Sequence, residues 1–229
     1  EGLSTNVGYE GGYAPSNLSN KQVLDFIITA TEKAGYMPGD DIFISLDPAS
    51  SEFGNKSEYL LSKENMKLSS DEMVEYYSKL IDEYPIYSIE DGLSEDDWNG
   101  WNVFTNKHGK KTQIVGDDLF VTQKKYLEKG ISENSANAIL IKFNQVGTIS
   151  ETLETIQLAS NNNFKSVISH RSGETEDTTI ADLAVGTNSG QIKTGAPARS
   201  DRVAKYNRLL RIEEKLKDKA TFAGKSILL

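Results

Sequence analysis

Short apolar segments alternate with longer amphipathic segments along this chain. Six of the short segments have four to six apolar or small residues, are rich in Ile and Val, and lack the polar alternation of a half-buried strand. This pattern is typical of strands that a parallel sheet buries on both faces. The six segments read IFISLD, IYSIED, QIVGDD, AILIK, SVISHR and QIKTG. They predict the central strands of an α/β fold.

The segments between these strands carry signals for helices. Ser19-x-x-Gln22 and Ser69-x-x-Glu72 have the spacing of a capping box, in which two side chains satisfy free amides at a helix start. The second of these helices is expected to end before Pro85. Alternating strands and helices favour right-handed crossovers in one α/β fold. Helices are predicted over about 19–34, from Ser69, from Ser94 to about 104, from Thr122 with Gly130 as terminating glycine, and over about 148–161, 175–186 and 199–218.

Each predicted strand ends on a residue that can bind a metal, transfer a proton or hold an anion. The first three strands end in carboxylates and the last three in cations. The active site of a parallel barrel lies at the carboxyl ends of its strands. One acidic residue there is usually a solvated terminus or a helix cap, but six successive chemical ends predict one shared pocket. In chain order they are Asp47, Glu90 with Asp91, Asp117 with Asp118, Lys142, His170 with Arg171, and Lys193.

The carboxylate strands favour a hard metal ion. Asp47, Glu90 and Asp117 offer the oxygen ligands that Mg²⁺ prefers, and the chain has no cysteine that could hold a softer metal. Lys142 follows a buried strand, and a lysine desolvated beside other cations can act as a general base. The alternative for Lys142 is a side chain whose ammonium reaches solvent.

The later segments favour an anionic ligand. His170, Arg171 and Ser172 supply a cation, a guanidinium fork and a hydroxyl, which suit a phosphate or a carboxylate. Lys193 adds a second lysine, and the GYEGG segment places Glu10 among glycines that allow a ligand to approach closely. Nucleotide binding gains little support, because the segment has neither the GxxxxGK[ST] nor the GxGxxG spacing. The whole set fits proton abstraction next to a carboxylate, with a metal stabilising the enolate.

Composition narrows the function classes further. The chain has 229 residues and a net charge of −9, which argues against a face that binds nucleic acid. The basic residues of 193–219 alternate with acidic ones at helical spacing and are expected to form a solvated helix face. The apolar runs are too short to span a membrane, and no secretory signal is visible. The lack of cysteine excludes disulfides and fits a cytoplasmic protein.

The segments around these residues resemble enolase. The resemblance implies a (β/α)8 TIM-type barrel, one barrel domain over residues 1–229, and a Mg²⁺-dependent hydro-lyase. Such an enzyme, a phosphopyruvate hydratase, interconverts 2-phosphoglycerate with phosphoenolpyruvate in glycolysis and gluconeogenesis, and is commonly a homodimer. The matching segments, in family order, are LDPASSEF, SIEDGLSEDDWNGW, QIVGDDL, LIKFNQVGTISET, ISHRSGETEDTTIADLAVG and GQIKTGAPARSDRVAKYNRLLRIEE.

The resemblance also implies a role for each candidate residue. Asp47, Glu90 and Asp117 would bind the first Mg²⁺ of the family, and a second Mg²⁺ would bind with substrate. Lys142 would take the proton from C2, and Glu10 would assist departure of the C3 hydroxyl. Arg171 and Ser172 would hold the phosphate, and Lys193 the carboxylate. The expected substrate contacts are His170, Arg171, Ser172 and Lys193.

Two departures from the family pattern are expected to matter. Tyr9 stands where the family usually has Asp, next to Glu10. The chain opens with EGLSTNVG and no Met, whereas the family has an N-terminal domain, two barrel strands and a helix before this point. We expect these parts to be absent, so that the chain alone has little dehydratase activity and exposes sheet edges that aggregate or recruit another chain.

Three alternatives stay open on the sequence alone. The six strands can form an open sheet instead of part of a barrel. The chain can be a noncatalytic binding or structural fragment derived from enolase. A wider superfamily member that acts on acid sugars is the third alternative, although the Lys-x-Lys base usual in those proteins is not found here.

Overall fold

Six parallel strands form the centre of the computed structural model, which describes residues 2–229. They pair in the order β1-β4-β5-β6-β7-β8, and β2 and β3 form a separate antiparallel hairpin. The six predicted strands are therefore confirmed. The strands are β1 (Ile44–Leu46), β2 (Glu58–Leu61), β3 (Met66–Ser69), β4 (Ile86–Glu90), β5 (Gln113–Gly116), β6 (Ala138–Ile141), β7 (Lys165–Ser169) and β8 (Ile192–Lys193).

Helices connect successive strands of the large sheet, as the alternating pattern predicts. Short 3₁₀ turns lie at Ser50–Glu52, Lys217–Lys219 and Gly224–Ile227. The helices are α1 (Asn20–Lys33), α2 (Ser70–Glu83), α3 (Trp98–His108), α4 (Lys124–Glu133), α5 (Phe143–Val146), α6 (Ile149–Asn161), α7 (Thr179–Gly186) and α8 (Ser200–Leu216).

Both predicted capping boxes are present. The Ser19 hydroxyl accepts the backbone N–H of Gln22 at 3.2 Å, and the Gln22 side chain accepts the N–H of Ser19 at 2.9 Å. Ser69 and Glu72 make the same reciprocal pair at the start of α2. Each box satisfies amides that no helical carbonyl can reach, so these two starts are determined locally.

Two predicted helix boundaries are wrong, namely the start of α3 and the end of α4. Asp97, not Ser94, caps α3, because its carboxylate accepts the N–H of Gly100 at 3.0 Å. Helix α4 continues through Gly130 to Glu133 and ends at Asn134, which takes the left-handed conformation (φ 53°). Gly130 instead makes room for the Phe120 ring, since a Cβ there would lie 2.6 Å from its Cζ.

The start of α7 is also later than predicted. The helix begins at Thr179, and the residues before it form a loop. Asp177 accepts the N–H of Thr179 at 2.9 Å, and Glu174 accepts the N–H of Thr175 at 3.0 Å. These local side-chain acceptors compete with helical hydrogen bonds and delay the helix.

The β2–β3 hairpin is absent from the sequence-based prediction. Its first strand alternates exposed and buried residues, and Tyr59 in that strand is fully buried. The hairpin lies between β1 and α2 in the chain and packs against α2. Four-residue strands are too short for their alternation to be distinguished from a loop by pattern alone.

The main hydrophobic core lies between the large sheet and its helices. Trp101, Phe104, Ile114, Leu127 and Ile139 are fully buried in it. The opposite face of the sheet carries a smaller cluster around Val115 and Leu140. The strands are thus buried on both faces, which explains their lack of polar alternation.

The sheet curls until its two edge strands approach each other. Lys193, on edge strand β8, reaches Asp47, the residue after edge strand β1, at 2.6 Å. The fold is thus an open, curled α/β half-barrel that still brings the carboxyl ends of its strands together. Within residues 2–229, every helix is too short or too polar to traverse a lipid bilayer.

Candidate active site

Lys193 links the two carboxylates of the first two central strands. Its ammonium donates to Asp47 at 2.6 Å and to Glu90 at 2.7 Å. Glu90 ends β4 and is buried, whereas Asp47 is partly exposed. Three residues that lie far apart in sequence thus form one ion cluster at the mouth of the half-barrel, as the sequence predicts.

The protonation of this cluster reflects an excess of buried acid. Burial raises the pKa of Glu90 to about 7, and although Lys193 opposes this, Asp47 and Asp117 raise it further. Burial disfavours the charged form of Lys193, but Glu90 and Asp47 outweigh burial and raise the pKa of Lys193. Burial and the neighbouring carboxylates therefore disfavour the ionised form of Glu90, even with Lys193 as its partner.

Lys142 and Asp117 form a second ion pair beside the first. The Lys142 ammonium donates to one carboxylate oxygen of Asp117, and the Gln145 amide donates to the other at 3.3 Å. The side chains of both charged residues are largely buried. The Thr122 hydroxyl accepts the backbone N–H of Lys142 at 2.9 Å, which ties the end of β6 to the preceding loop. Lys142 therefore points into the site and not to solvent.

A cationic recess lies next to Lys142. It is a pocket of about 460 Å³, and Arg171 donates to Asn144 at 2.8 Å on its wall. Guanidinium, ammonium and hydroxyl groups together suit a phosphate or a carboxylate. The pocket is lined by Lys142, Asn144, Arg171, Ser172 and Gly173.

Glu10 approaches this recess from the first loop of the chain. Ser172 donates to one of its oxygens at 2.9 Å, and the Nε2 atom of His170 lies 3.4 Å from the other. The neighbouring His170 ring is the main cause that lowers the pKa of Glu10 to about 2, with partial burial opposing and Ser172 assisting. Glu10 is therefore ionised at neutral pH in this conformation. The Tyr9 side chain beside it is exposed to solvent.

This chain is similar to known proteins along nearly its whole length. A family model described as the C-terminal TIM barrel domain of enolase matches residues 1–229. The chain belongs to the enolase family. It is 59% identical over 224 residues to "Enolase 1" of Methanospirillum hungatei, covering 98% of this chain and 53% of the relative. It is 58% identical over 224 residues to "Enolase" of Natranaerobius thermophilus, covering 98% and 52%. The chain spans about half the length of these relatives.

Membership of the enolase family implies a metal cofactor, and the acidic cluster fits one. All donors are carboxylate oxygens, which suit a hard cation. Burial, together with the charges of Asp47 and Asp117, raises the pKa of Glu90, and a bound cation would oppose this shift by stabilising the ionised carboxylate. One group of carboxylates, Asp91, Asp117 and Asp118, has oxygens within 4.8 Å of one another.

Asp91 serves the enolase site in a different way from its neighbours. Its two oxygens accept the backbone N–H groups of Asp117 at 2.9 Å and Asp118 at 2.8 Å. Its carbonyl accepts the N–H of Ser50, from the loop that follows Asp47, at 3.0 Å. Asp91 also has a left-handed backbone (φ 44°), which is uncommon outside glycine although aspartate is among the residues that tolerate it best. Asp91 therefore ties three strand ends together and supports the carboxylates around it.

Two buried cations of this enolase domain contradict the predicted solvated face of 193–219. Arg202 and Lys205 on α8 are fully buried. Lys205 donates to Glu174 at 2.9 Å and to the carbonyl of Thr175 at 2.5 Å, and Arg202 donates to the loop that carries His170. Charge alternation in the sequence could not reveal this, because only the tertiary contacts bring acceptors to this face of the helix.

Proposed function

We propose that this chain forms the catalytic barrel portion of a Mg²⁺-dependent enolase that interconverts 2-phosphoglycerate and phosphoenolpyruvate. The observation that carries the proposal is that Asp47 and Lys193, from opposite edges of the sheet, meet Glu90 beside Lys142 and its cationic recess. A hard cation, a lysine base and an anion pocket are the parts that this reaction needs. Membership of the enolase family supports the assignment.

Asp47, Glu90 and Asp117 would hold the magnesium ion. Bound there, the ion supplies positive charge that stabilises the enolate formed when C2 loses its proton. In the structure, Lys193 and Lys142 pair with these carboxylates. Both ammonium groups are therefore poised to exchange these partners for an anionic substrate.

Lys142 is the proposed base at C2. It must be neutral to accept a proton, so the ion pair with Asp117 must be broken first. Lys193 would then pair with the substrate carboxylate instead of Glu90 and Asp47.

Glu10 is the proposed acid at the C3 hydroxyl, and its present environment opposes that role. With a pKa of about 2 it carries no proton to donate. Ser172 and Arg171 are the expected contacts of the phosphate, so a substrate would remove Ser172 from Glu10. Loss of this hydrogen bond and added burial would both raise the pKa of Glu10. Substrate binding and proton supply would thereby be coupled.

Magnesium titration followed by isotope exchange tests the proposal. Saturable Mg²⁺ binding measured by calorimetry is expected for the polypeptide that carries this chain, and Glu90→Gln is expected to weaken it at least tenfold. Glu95→Gln, an exposed neighbour, is the matched control.

With 2-phosphoglycerate in D₂O, exchange of the C2 proton seen by NMR is expected to vanish in Lys142→Met. Full exchange by Lys142→Met would refute the assigned base.

The isolated chain is expected to have low enzymatic activity. This chain spans about half of each relative, so we infer that the 229 residues alone turn over substrate only weakly. A coupled assay of the purified 229-residue chain checks this, and near-normal turnover would contradict it. A cytoplasmic location and a homodimeric complete protein stay predictions from the family resemblance.

A further inference from the structure

Arg202 occupies an unusual position for a charged side chain. It is fully buried on α8, and its guanidinium spans two loops that border the candidate active site. One terminal nitrogen donates to His170 Nδ1 at 2.6 Å and to the carbonyl of Arg171 at 2.7 Å. The other donates to the carbonyls of Tyr9 at 2.8 Å and Ser172 at 2.7 Å. The four donors of its two terminal nitrogens thus each meet an acceptor from these loops.

The contact with His170 decides where the imidazole carries its proton. A guanidinium has only donors, so Nδ1 must accept through its lone pair and cannot carry a hydrogen. A neutral imidazole then holds its proton on Nε2. That atom is buried, lies 3.4 Å from Glu10 Oε2, and has no partner with hydrogen-bond geometry among residues 2–229. The N–H therefore lies on the side of the ring that faces Glu10.

We propose that Arg202 is a positioning residue that holds His170 in its Nε2–H tautomer and sets the spacing between the Glu10 loop and the 170–173 loop. His170 then acts as a neutral hydrogen-bond donor on the side where substrate binds, and Arg202 opposes any second proton on the ring. The tautomer follows from the structure alone. Its consequence for substrate rests on the proposed function.

The shape of the guanidinium explains why arginine occupies this position. Its planar fork reaches acceptors on both loops at once, whereas an ammonium places three donors around a single atom. Burial of the charge is costly unless its donors meet acceptors, and the four acceptors of the terminal nitrogens offset most of this cost. The buried Nε lies 3.4 Å from Asp201 but has no hydrogen-bond partner among residues 2–229. Lys205, one turn along, binds Glu174 and Thr175 but does not contact His170.

Nitrogen NMR tests the tautomer directly, and the chain suits the experiment because it contains only two histidines. A His108→Gln variant assigns the signals of His170 by elimination. In ¹⁵N-labelled protein without metal or substrate, His170 is expected to show a proton on Nε2 and none on Nδ1. A scalar coupling across the hydrogen bond from Arg202 to Nδ1 is also expected. A proton on Nδ1 in the unmodified protein would overturn the proposal.

Arg202→Lys tests whether the guanidinium is the cause. Loss of a charge-assisted hydrogen bond to Nδ1 is expected to raise the population of the Nδ1–H tautomer about tenfold. Arg208→Lys is the matched control, because Arg208 lies on the same helix but pairs with Asp182 at the surface. A folded Arg202→Lys protein with an unchanged tautomer would overturn the proposal. If Arg202→Lys does not fold, the coupling in the unmodified protein decides, and its absence overturns the proposal.

Enzyme kinetics, measured on the protein that contains this chain, distinguishes a failure of this inference from a failure of the proposed function. In Arg202→Lys, the fold decrease in kcat is expected to exceed the fold increase in KM by about tenfold. The reason is that Arg171 and Lys193 stay in place to bind substrate, while the donor at His170 is lost. If Arg202→Lys shifts the tautomer as expected but the unmodified protein has no enolase activity, only the proposed function is overturned. An unchanged tautomer with intact activity would overturn only the role of Arg202.

Discussion

Asp97 shows how one buried residue connects separate parts of the chain. Its carboxylate accepts the hydroxyl of Tyr59 at 2.8 Å, the hydroxyl of Ser70 at 2.5 Å and the N–H of Gly100 at 3.0 Å. These donors come from the β2–β3 hairpin, from α2 and from α3. Satisfying a buried carboxylate with several donors makes the arrangement specific, because loss of any donor leaves charge unpaired.

Tyr59→Phe is expected to destabilise the fold by about 2 kcal/mol, because the lost hydroxyl also accepts the N–H of Ser94. The ring itself stays, so hydrophobic burial is unchanged. The free energy of unfolding in urea measures the effect. Tyr13→Phe, at an exposed position, is the control and is expected to change stability by less than about 0.5 kcal/mol. Equal effects of both variants would contradict the role of the buried hydroxyl.

Glu174 gives the stability a dependence on pH. Burial alone would raise its pKa, but hydrogen bonds from Lys205 and from the N–H groups of Thr175 and Arg171 outweigh burial and lower the pKa below its ordinary 4.5. A lowered folded-state pKa contributes stability above the unfolded value and loses it as pH falls. The free energy of unfolding is therefore expected to drop as pH decreases below about 4.5.

Glu174→Gln isolates this contribution. The variant should be less stable than the parent protein at pH 7, and the difference should shrink at acid pH. Denaturation by urea at several pH values measures it. Glu154→Gln, on the exposed face of α6, is the matched control and should keep the slope of the parent. A constant difference between Glu174→Gln and the parent at all pH values would refute the linkage.

At the scale of the element, a capping box places a helix start reliably, whereas the predicted starts of α3 and α7 and the predicted end of α4 are wrong. Two capping boxes place the starts of α1 and α2, since both partners of each box lie within four residues. The end of α4 is different, because a distant phenyl ring occupies the space beside Gly130. Gly130 is thus required by packing and not by backbone conformation.

Gly130→Ala is expected to destabilise the protein by about 1–3 kcal/mol, although alanine favours helices. The new methyl group would overlap the ring of Phe120, which is itself fully buried. Gly186→Ala in α7 is the matched control, because a methyl group there would meet no atom within 4 Å. It should stabilise by up to about 1 kcal/mol. Thermal unfolding measures both, and stabilisation by Gly130→Ala would contradict the packing argument.

At the scale of the whole molecule, the curled sheet brings opposite charges together at one end and leaves two edges. Lys193 and Asp47 meet across the mouth, while β1 and β8 each pair on one side only. A cavity of about 760 Å³ lies between these edges, and residues 222–228 contribute to its wall. Tyr87 donates to the carbonyl of Ile227 at 2.7 Å and anchors that segment.

The 229-residue chain is expected to self-associate as its concentration rises, because unpaired strand edges recruit other strands. Light scattering after size-exclusion chromatography measures this. Ser45→Lys places a charge on edge strand β1 and should reduce association, whereas Ser160→Lys on α6 should not. A single monomeric species at all concentrations would contradict the prediction.

The sequence by itself determined the order of the six central strands, the main helices between them and the chemical residue at each strand end. The reason is that burial of both sheet faces imposes an apolar run, and parallel strands place their carboxyl ends at one edge. Only the tertiary structure decided that Arg202 and Lys205 are buried, that Asp91 supports its neighbours, and that Gly130 accommodates Phe120. Each depends on a partner distant in sequence, and a local pattern carries no record of such a partner.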